Sequence, residues 1–479
     1  MINIATAAVV AQLATQLAIV TQDQTSLRAS PHDSAQTQAQ LVQGDWLEVR
    51  GEKLDYLQVW DHRRERGGFV RAALVQRVST APDDAPQLLS VLRFAKSSPG
   101  NEALGIAYAA AYLKAVPAKN LDAEPLDAIG QMSERLARRA NTARASATQA
   151  TAAAHLDLAA SYGVKMQSIE RDGRMQICYD GQAYRQVLAM PVATPEQIAH
   201  AALGLTAHDC VDPAMPVLER YAFNEWRMQV LDRVPADKLV AYKKNRVELR
   251  RAGVAAQLAF ERSKRNGQTQ ASAGQALNAL AAINKPELSD DDQLPYAEAA
   301  IRVSASRWAA AAGPAQATPR LLVQILPGRQ AGESCVSLSD SKMPAGKPLV
   351  QRCTFATVWL NSAQGNLAGT ALALAVQPLE AWREMWMFRS TAQGWVVDVL
   401  PPGTNQPEVG YVEFAGWVPG GTHFLAAREV ITAGRWRRTF ELLRLDSLAT
   451  EKQADMPSSL SVFYKWQDVS WKNATVSLR

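Results

Sequence analysis

The sequence predicts a multidomain α+β protein with three parts: a small N-terminal β-barrel over residues 18–78, a mainly helical middle over 85–315 with a β-hairpin at 174–190, and a C-terminal antiparallel β domain over 320–479 with blade-like repeats. Three observations predict it. Short β-type runs separated by turn residues fill the first part. Ala-rich segments with apolar residues at three- and four-residue steps fill the second. Alternating runs rich in Trp and Val begin at Leu321. A chain of 479 residues, 47% hydrophobic and 20% charged, has the length and apolar content for about two to four globular domains.

The first part strings together LAIVT, TSLRAS, AQLVQG, WLEVRG, YLQVWD, GGFVRA and LVQRV, with breaks at Ser-Pro-His-Asp, Gln-Gly-Asp and Arg-Gly-Glu. Such spacing suits a small closed barrel or a half-open sheet. Its marker residues are Leu27-Arg28-Ala29-Ser30-Pro31, Leu41-Val42-Gln43-Gly44, Leu47 and Val49, Tyr56 to Val59, and Gly68-Phe69-Val70 followed by Leu74. In order and spacing they resemble the bacterial SH3-like (SH3b) domain family. The resemblance implies a recognition module of a secreted bacterial protein, with an aromatic-edged groove for cell-wall peptide or glycan, or for a protein partner. Trp46, Tyr56, Trp60 and Phe69 are the groove residues it implies. The chain departs from the family in placing Tyr56 and Phe69 where Trp is usual, and in the charged stretch DHRRER.

Through the middle, APQLLSVLRFAKSS and NEALGIAYAAAYLKAV read as helices, and Leu126 to Ser161 as a long exposed or coiled helix. No 34-residue recurrence marks a helical repeat. Asp172-Gly173 and Asp180-Gly181 signal hairpin turns. Thr194, Pro195 and Glu196 signal a capped helix start. Helical pattern returns from Pro216 to Gly313, interrupted near Asn266 and at INKPELSDDDQLP. The triplet Asp290-Asp291-Asp292 lacks the alternation of a calcium loop and reads as a helix entry.

The last part echoes itself. Trp359 recurs as Trp417, Leu372 to Val376 as Phe424 to Ala427, and Trp386 to Arg389 as Leu442 to Leu445; a third copy begins at FYKWQDVSWKNATVSLR, with Trp466 in the anchor place. Repeats of that size suggest propeller blades, or a sandwich. GWVPGG, with Trp417, Pro419 and Gly420 or Gly421, weakly resembles the blade motif of TolB-like propellers, although its Ser and Asp are missing. Trp382-Arg383 and Arg435 to Arg438 around Trp436 are candidates for a cation–π surface.

Charge gives few clues to partners. The net charge of +5 is the remainder of 51 basic and 46 acidic residues, and the clusters Arg63, Arg64, Arg66 and Lys243, Lys244, Arg246 lack interleaved aromatics, so no nucleic-acid partner is expected. No apolar run reaches 18 residues, so no transmembrane span is expected. Residues 1–18 read either as an atypical or truncated signal segment, with Ala5-Thr6-Ala7 as a small-residue site, or as a structured first segment of a cytoplasmic protein. Cys178, Cys210, Cys335 and Cys353 contain no C-x-x-C and allow three pairings; closure within each near pair is the simplest, against four buried thiols. Bridges would imply a periplasmic or otherwise exported protein.

No catalytic signature is present: no G-x-S-x-G, phosphate-binding loop, H-E-x-x-H or Cys–His pair, and six single histidines. His208 beside Cys210 reads as structural, and neither metal nor cofactor is expected. The expectation is a non-enzymatic binding or scaffold protein of the cell envelope, with peptidoglycan or an envelope protein as partner. Its rival is an envelope hydrolase using Glu380, Glu384 or Asp398 in an unrecognised site.

Overall fold

The computed structural model describes residues 16–474 apart from 172, 266, 312–319, 343–346, 404–408 and 433–434. The possible cleavage site Ala5-Thr6-Ala7 and the turn residue Asp172 lie outside the described residues. The chain divides into two compact units. One runs to Met215 and takes in Arg233–Pro235; the other comprises Pro216–Asp232 and everything from Ala236 onwards.

The first unit opens with seven strands: β1 (Leu17–Val20), β2 (Thr25–Arg28), β3 (Thr37–Leu41), β4 (Trp46–Lys53), β5 (Tyr56–Asp61), β6 (Arg66–Arg71) and β7 (Val75–Val78). They form one open sheet in the order β3-β2-β6-β5-β4-β1-β7, which corrects the expected SH3-like barrel. The reason lies in the edges. β7 spends its pairing on β1, from Leu17↔Val78 to Val20↔Val75, and among the described residues β3 pairs only with β2, so none of them joins the two ends. β2 and β6 meet through the single pair Arg28↔Phe69. Alternation sends Leu57 and Val59 to one face, where they pack with Val20, Leu27, Leu41, Leu47 and Val70. Asp45 and Asp61 are buried, and Arg64 bridges both, at 3.0 and 2.7 Å.

Helices follow: α1 (Ala85–Ser97), α2 (Glu102–Ala115), α3 (Glu124–Thr142) and α4 (Ser146–Ser161). The long helix expected over Leu126–Ser161 breaks at Ala143, which is extended. Two strands, β8 (Met166–Arg171) and β9 (Arg174–Tyr179), then pair antiparallel; α5 (Gln182–Ala189) starts after Gly181, whose φ of 81° lies in the left-handed region. α6 (Pro195–Leu205) carries a full capping box between Thr194 and Gln197. Close helix approach depends on small residues. A Cβ on either Gly130 of α3 or Gly204 of α6 would lie 2.3 Å from the Tyr184 ring. A polar chain ties the sheet to the helices: Asp23 to His155 at 2.7 Å, His155 to Arg139 at 2.5 Å, and Arg139 and Arg135 to the buried Glu102 at 2.6 Å each. Cys178 and Cys210 form a disulfide.

The second unit begins with α7 (Val217–Asp232), α8 (Ala241–Ser263), α9 (Gln270–Ala281) and α10 (Asp290–Ser306), packed through Ala252, Ala255, Ala276, Leu280 and Val303. A three-stranded sheet follows, made of β10 (Leu321–Pro327), β11 (Ser334–Asp340) and β12 (Val350–Thr354). Cys335 and Cys353 stand directly opposite each other on β11 and β12 and are bridged. The chain continues through β13 (Thr357–Gly365), β14 (Ala371–Leu379), β15 (Trp382–Thr391), β16 (Gly394–Leu400), β17 (Val409–Trp417), β18 (His423–Thr432), β19 (Arg435–Arg444) and β20 (Thr450–Ala454).

These eight strands are one open sheet, which corrects the expected blade-like, propeller-type repeats. The two echoing segments do not stand as separate blades, because β15 and β17 pair in parallel at Trp382↔Gly410 and Arg383↔Tyr411 and merge them. The described part of the supposed third copy is helical, α11 (Ser461–Trp466) and α12 (Val469–Ala474), and covers Ala415, Leu425 and Phe440 with Phe463 and Trp471, while residues 475–479 lie outside the described residues. The smaller sheet packs on the larger through Val336, Leu338, Leu372, Leu374, Trp386 and Phe388.

Where the helices of this unit meet its large sheet, charge is buried. Glu413 of β17 accepts from Arg307 Nε at 2.7 Å and lies 3.4 Å from Arg383 Nη2, while Arg383 Nη1 donates to the Ser304 carbonyl at 2.6 Å. Arg383 is fully buried and stacks over the Tyr411 ring, so Trp382-Arg383 is a core element and not a surface. Among the described residues no helix is long and apolar enough to cross a membrane.

Candidate binding cleft

In the second unit a cleft of about 390 Å³ opens between α10 and the sheet. That volume lies within the range of small-ligand and side-chain pockets. Its helical wall follows from the α10 sequence. Asp290, Asp291 and Asp292 occupy the first turn, where negative charge suits the helix dipole, and Asp292 is held by Arg246 at 2.9 Å. This start places Gln293, Tyr296, Ala297 and Ala300 three and four residues apart on one stripe, facing the cleft. Leu294 adds an apolar lip that is 42% exposed. Lys285, just upstream, sets its ammonium over the Tyr296 ring at 5.3 Å.

The opposite wall is set by strand register. Glu429 of β18 stands opposite Arg438 of β19, and Ile431 opposite Trp436, so Glu429, Arg438 and Trp436 share a face. Arg438 lies over the Trp436 ring at 5.3 Å and donates through Nε to the Asp455 carbonyl. Trp436 is 44% exposed. Glu429 is buried and accepts from the Tyr411 hydroxyl at 2.9 Å. Each wall thus carries one cation–aromatic pair, with apolar side chains between them. The hydroxyl of Tyr296 is buried without a hydrogen-bond partner, a cost of roughly 1–3 kcal/mol.

The sequence pointed to one wall only, through Arg435 to Arg438 around Trp436. Lys285, Leu294, Tyr296 and Glu429 gave no signal, since the wall-forming segments are far apart in the chain and Lys285 falls in a stretch read as a loop.

The residues implied by the SH3-like resemblance lie in the first unit. Register puts Tyr56, Trp60 and Phe69 on the same face of the sheet, since Trp60 opposes Gly67 and Gln58 opposes Phe69. Tyr56 is buried and its hydroxyl donates to Asp33 at 2.6 Å, while Arg50 covers the Trp60 ring at 4.5 Å. Trp46 packs edge-on to Tyr162 at 5.6 Å, beneath Lys114.

The three carboxylates weighed for hydrolysis are held separately. Glu380 is bound to Arg302 and Asp398 to Arg389, each at 2.7 Å; Glu384 is pushed above the usual carboxylate range by burial. Among the described residues no three His, Cys, Asp or Glu side chains gather as a metal site. No protein-family model, no curated protein and no solved structure matches this chain.

Proposed function

We propose that this chain is a non-enzymatic binding or scaffold protein of an exported, oxidising compartment such as the cell envelope, and that the cleft between α10 and β19 is where it holds its partner. The observation that carries the reading is the pairing of Lys285 with Tyr296 and of Arg438 with Trp436 on the two walls of one open cleft. Trp, Tyr and Arg are the residue types that dominate binding hot spots. Two disulfides, one in each unit, support the compartment, since such bridges persist where thiols are not kept reduced.

The partner is cell-wall peptidoglycan or an envelope protein. Co-sedimentation with purified peptidoglycan sacculi, using the wild type and a Trp436→Ala/Arg438→Ala variant, tests the first. Pelleting that depends on those two residues supports the cell wall as the ligand of the cleft; a protein that stays in the supernatant points to an envelope protein. Release of soluble wall fragments by the wild type would overturn the non-enzymatic reading.

A further inference from the structure

We propose that the Cys335–Cys353 bridge is a thiol-exchange site: an external thiol opens it by attack on the Cys353 sulfur, and the opening loosens β12 from β11. The inference does not depend on the cleft.

The sheet decides which sulfur is open. Val336 and Leu338 of β11 and Val350 of β12 pack against the large sheet, so alternation puts Cys335, Cys353, Gln351 and Leu326 on the opposite face of the small sheet. Leu326, Gln351 and Cys353 are exposed there, while Cys335, on the central strand, keeps only 4% of its surface in solvent. Thiolate attack runs in line with the bond being broken, from behind the sulfur it strikes. Behind Cys335 stands Leu326, its direct neighbour in the β10 register. Behind Cys353 the sheet ends, because among the described residues β12 pairs with β11 alone. Access governs which sulfur of a disulfide is attacked, and here it selects Cys353. The other bridge has no such exposed end, since Cys178 is buried and Cys210 half-buried.

The exchange balances with two external thiols. The first, as thiolate, bonds to Cys353 Sγ; the Sγ–Sγ bond breaks and its electron pair leaves on Cys335 Sγ, which takes up a proton. The second attacks the external sulfur of that mixed disulfide, expels the Cys353 thiolate and departs as an oxidised external disulfide, so the bridge gains the two electrons that the thiols lose. What the bridge holds follows from the main chain. Gly328 N–H donates to the Glu333 carbonyl and Ser341 N–H to the Arg320 carbonyl, a parity that turns the main-chain groups of Cys335 toward β10. Cys335 and Cys353 thus form a pair without main-chain hydrogen bonds, joined across β11 and β12 by their sulfurs. β12 is five residues long and stands at the edge. Once the bridge opens, a short ladder, the packing of Val350 and the Arg352 bond to the Val397 carbonyl at 3.2 Å carry it.

The test treats the native, disulfide-intact chain with excess reduced glutathione, traps samples with N-ethylmaleimide over a time course and maps the cysteines by peptide mass spectrometry; hydrogen exchange then compares the opened and closed forms. Glutathione carried on Cys353 with the maleimide on Cys335, formed at least about tenfold faster than any opening of Cys178–Cys210, supports the inference. Faster hydrogen exchange over residues 350–354 of the opened form supports the loosening of β12. Glutathione on Cys335, or equal rates at the two bridges, overturns the selection of Cys353. Native protein that keeps both bridges in glutathione that opens them after unfolding in urea overturns the exchange site. An opened form whose exchange over 350–354 matches the closed one overturns the loosening of β12.

Discussion

Replacing Glu413 with alanine tests how the helices and large sheet of the second unit are joined. Glu413 stands between Arg307 and Arg383, and all three side chains are nearly or wholly buried. Burial depresses the Arg383 pKa even with the Glu413 charge beside it opposing the shift, and the Arg307 charge adds to the depression. Glu413→Ala leaves two buried guanidiniums with no carboxylate between them, and breaking a buried pair in this way costs about 3–5 kcal/mol. For a unit of this size that corresponds to a midpoint lowered by roughly 6–20 °C. Replacing the cluster as a whole, Arg307→Met/Arg383→Met/Glu413→Leu, removes the uncompensated charge together with its partner and costs less than the single change. Differential scanning calorimetry of the three proteins reads both quantities. A Glu413→Ala protein within about 1 kcal/mol of the wild type, or a triple variant less stable than the single one, refutes the idea that unpaired buried charge sets the cost.

Three further outcomes are expected. Gly130→Ala drives a methyl into the Tyr184 ring and destabilises the first unit by about 1–3 kcal/mol or more, and Tyr184→Leu in the same chain recovers part of that loss in urea unfolding. Burial, aided by the nearby Glu380 charge, raises the Glu261 pKa to about 7. The folded state therefore holds this proton more tightly than the unfolded one, so the contribution of Glu261 to stability falls as pH rises from about 4.5 to about 7. Glu261→Gln should remove that fall, worth on the order of 2 kcal/mol at pH 8 relative to pH 5 once its residual solvent contact is allowed for, and an unchanged pH profile would contradict it. Unfolded, unreduced protein should titrate no free thiol. Cys178→Ala/Cys210→Ala should lower only the first unit's transition, and Cys335→Ala/Cys353→Ala only the second's, by about 3–4 kcal/mol each from chain entropy.

Local features of the sequence carried further than global ones. The Thr194-Pro195 helix start and the strand runs around Leu57, Val59 and Val70 are readable because caps and alternation act over a few residues. Closure is a property of edges. Nothing near Val75–Val78 says that this strand pairs with Leu17–Val20, and that pairing is what leaves the N-terminal sheet open. The echo between Trp359 and Trp417 is present in the sequence, but the parallel join at Arg383↔Tyr411 that merges both segments into one sheet has no local signal, and Trp466 falls on a helix despite matching the anchor position. The cleft was half legible for the same reason. Arg438 and Trp436 are neighbours in sequence, whereas Lys285 and Tyr296 reach them only through the packing of α10 on the sheet.

The most direct test of the binding reading uses the tryptophan at its lip. Protein labelled with 5-fluorotryptophan gives one fluorine resonance for each of its 12 tryptophans, and Trp436→Phe identifies the one that matters. Titration with soluble peptidoglycan fragments should shift or broaden the Trp436 resonance while those of the buried Trp382 and Trp386 hold still. Saturable binding of those fragments with the Trp436 resonance unmoved would place the partner elsewhere and contradict the account.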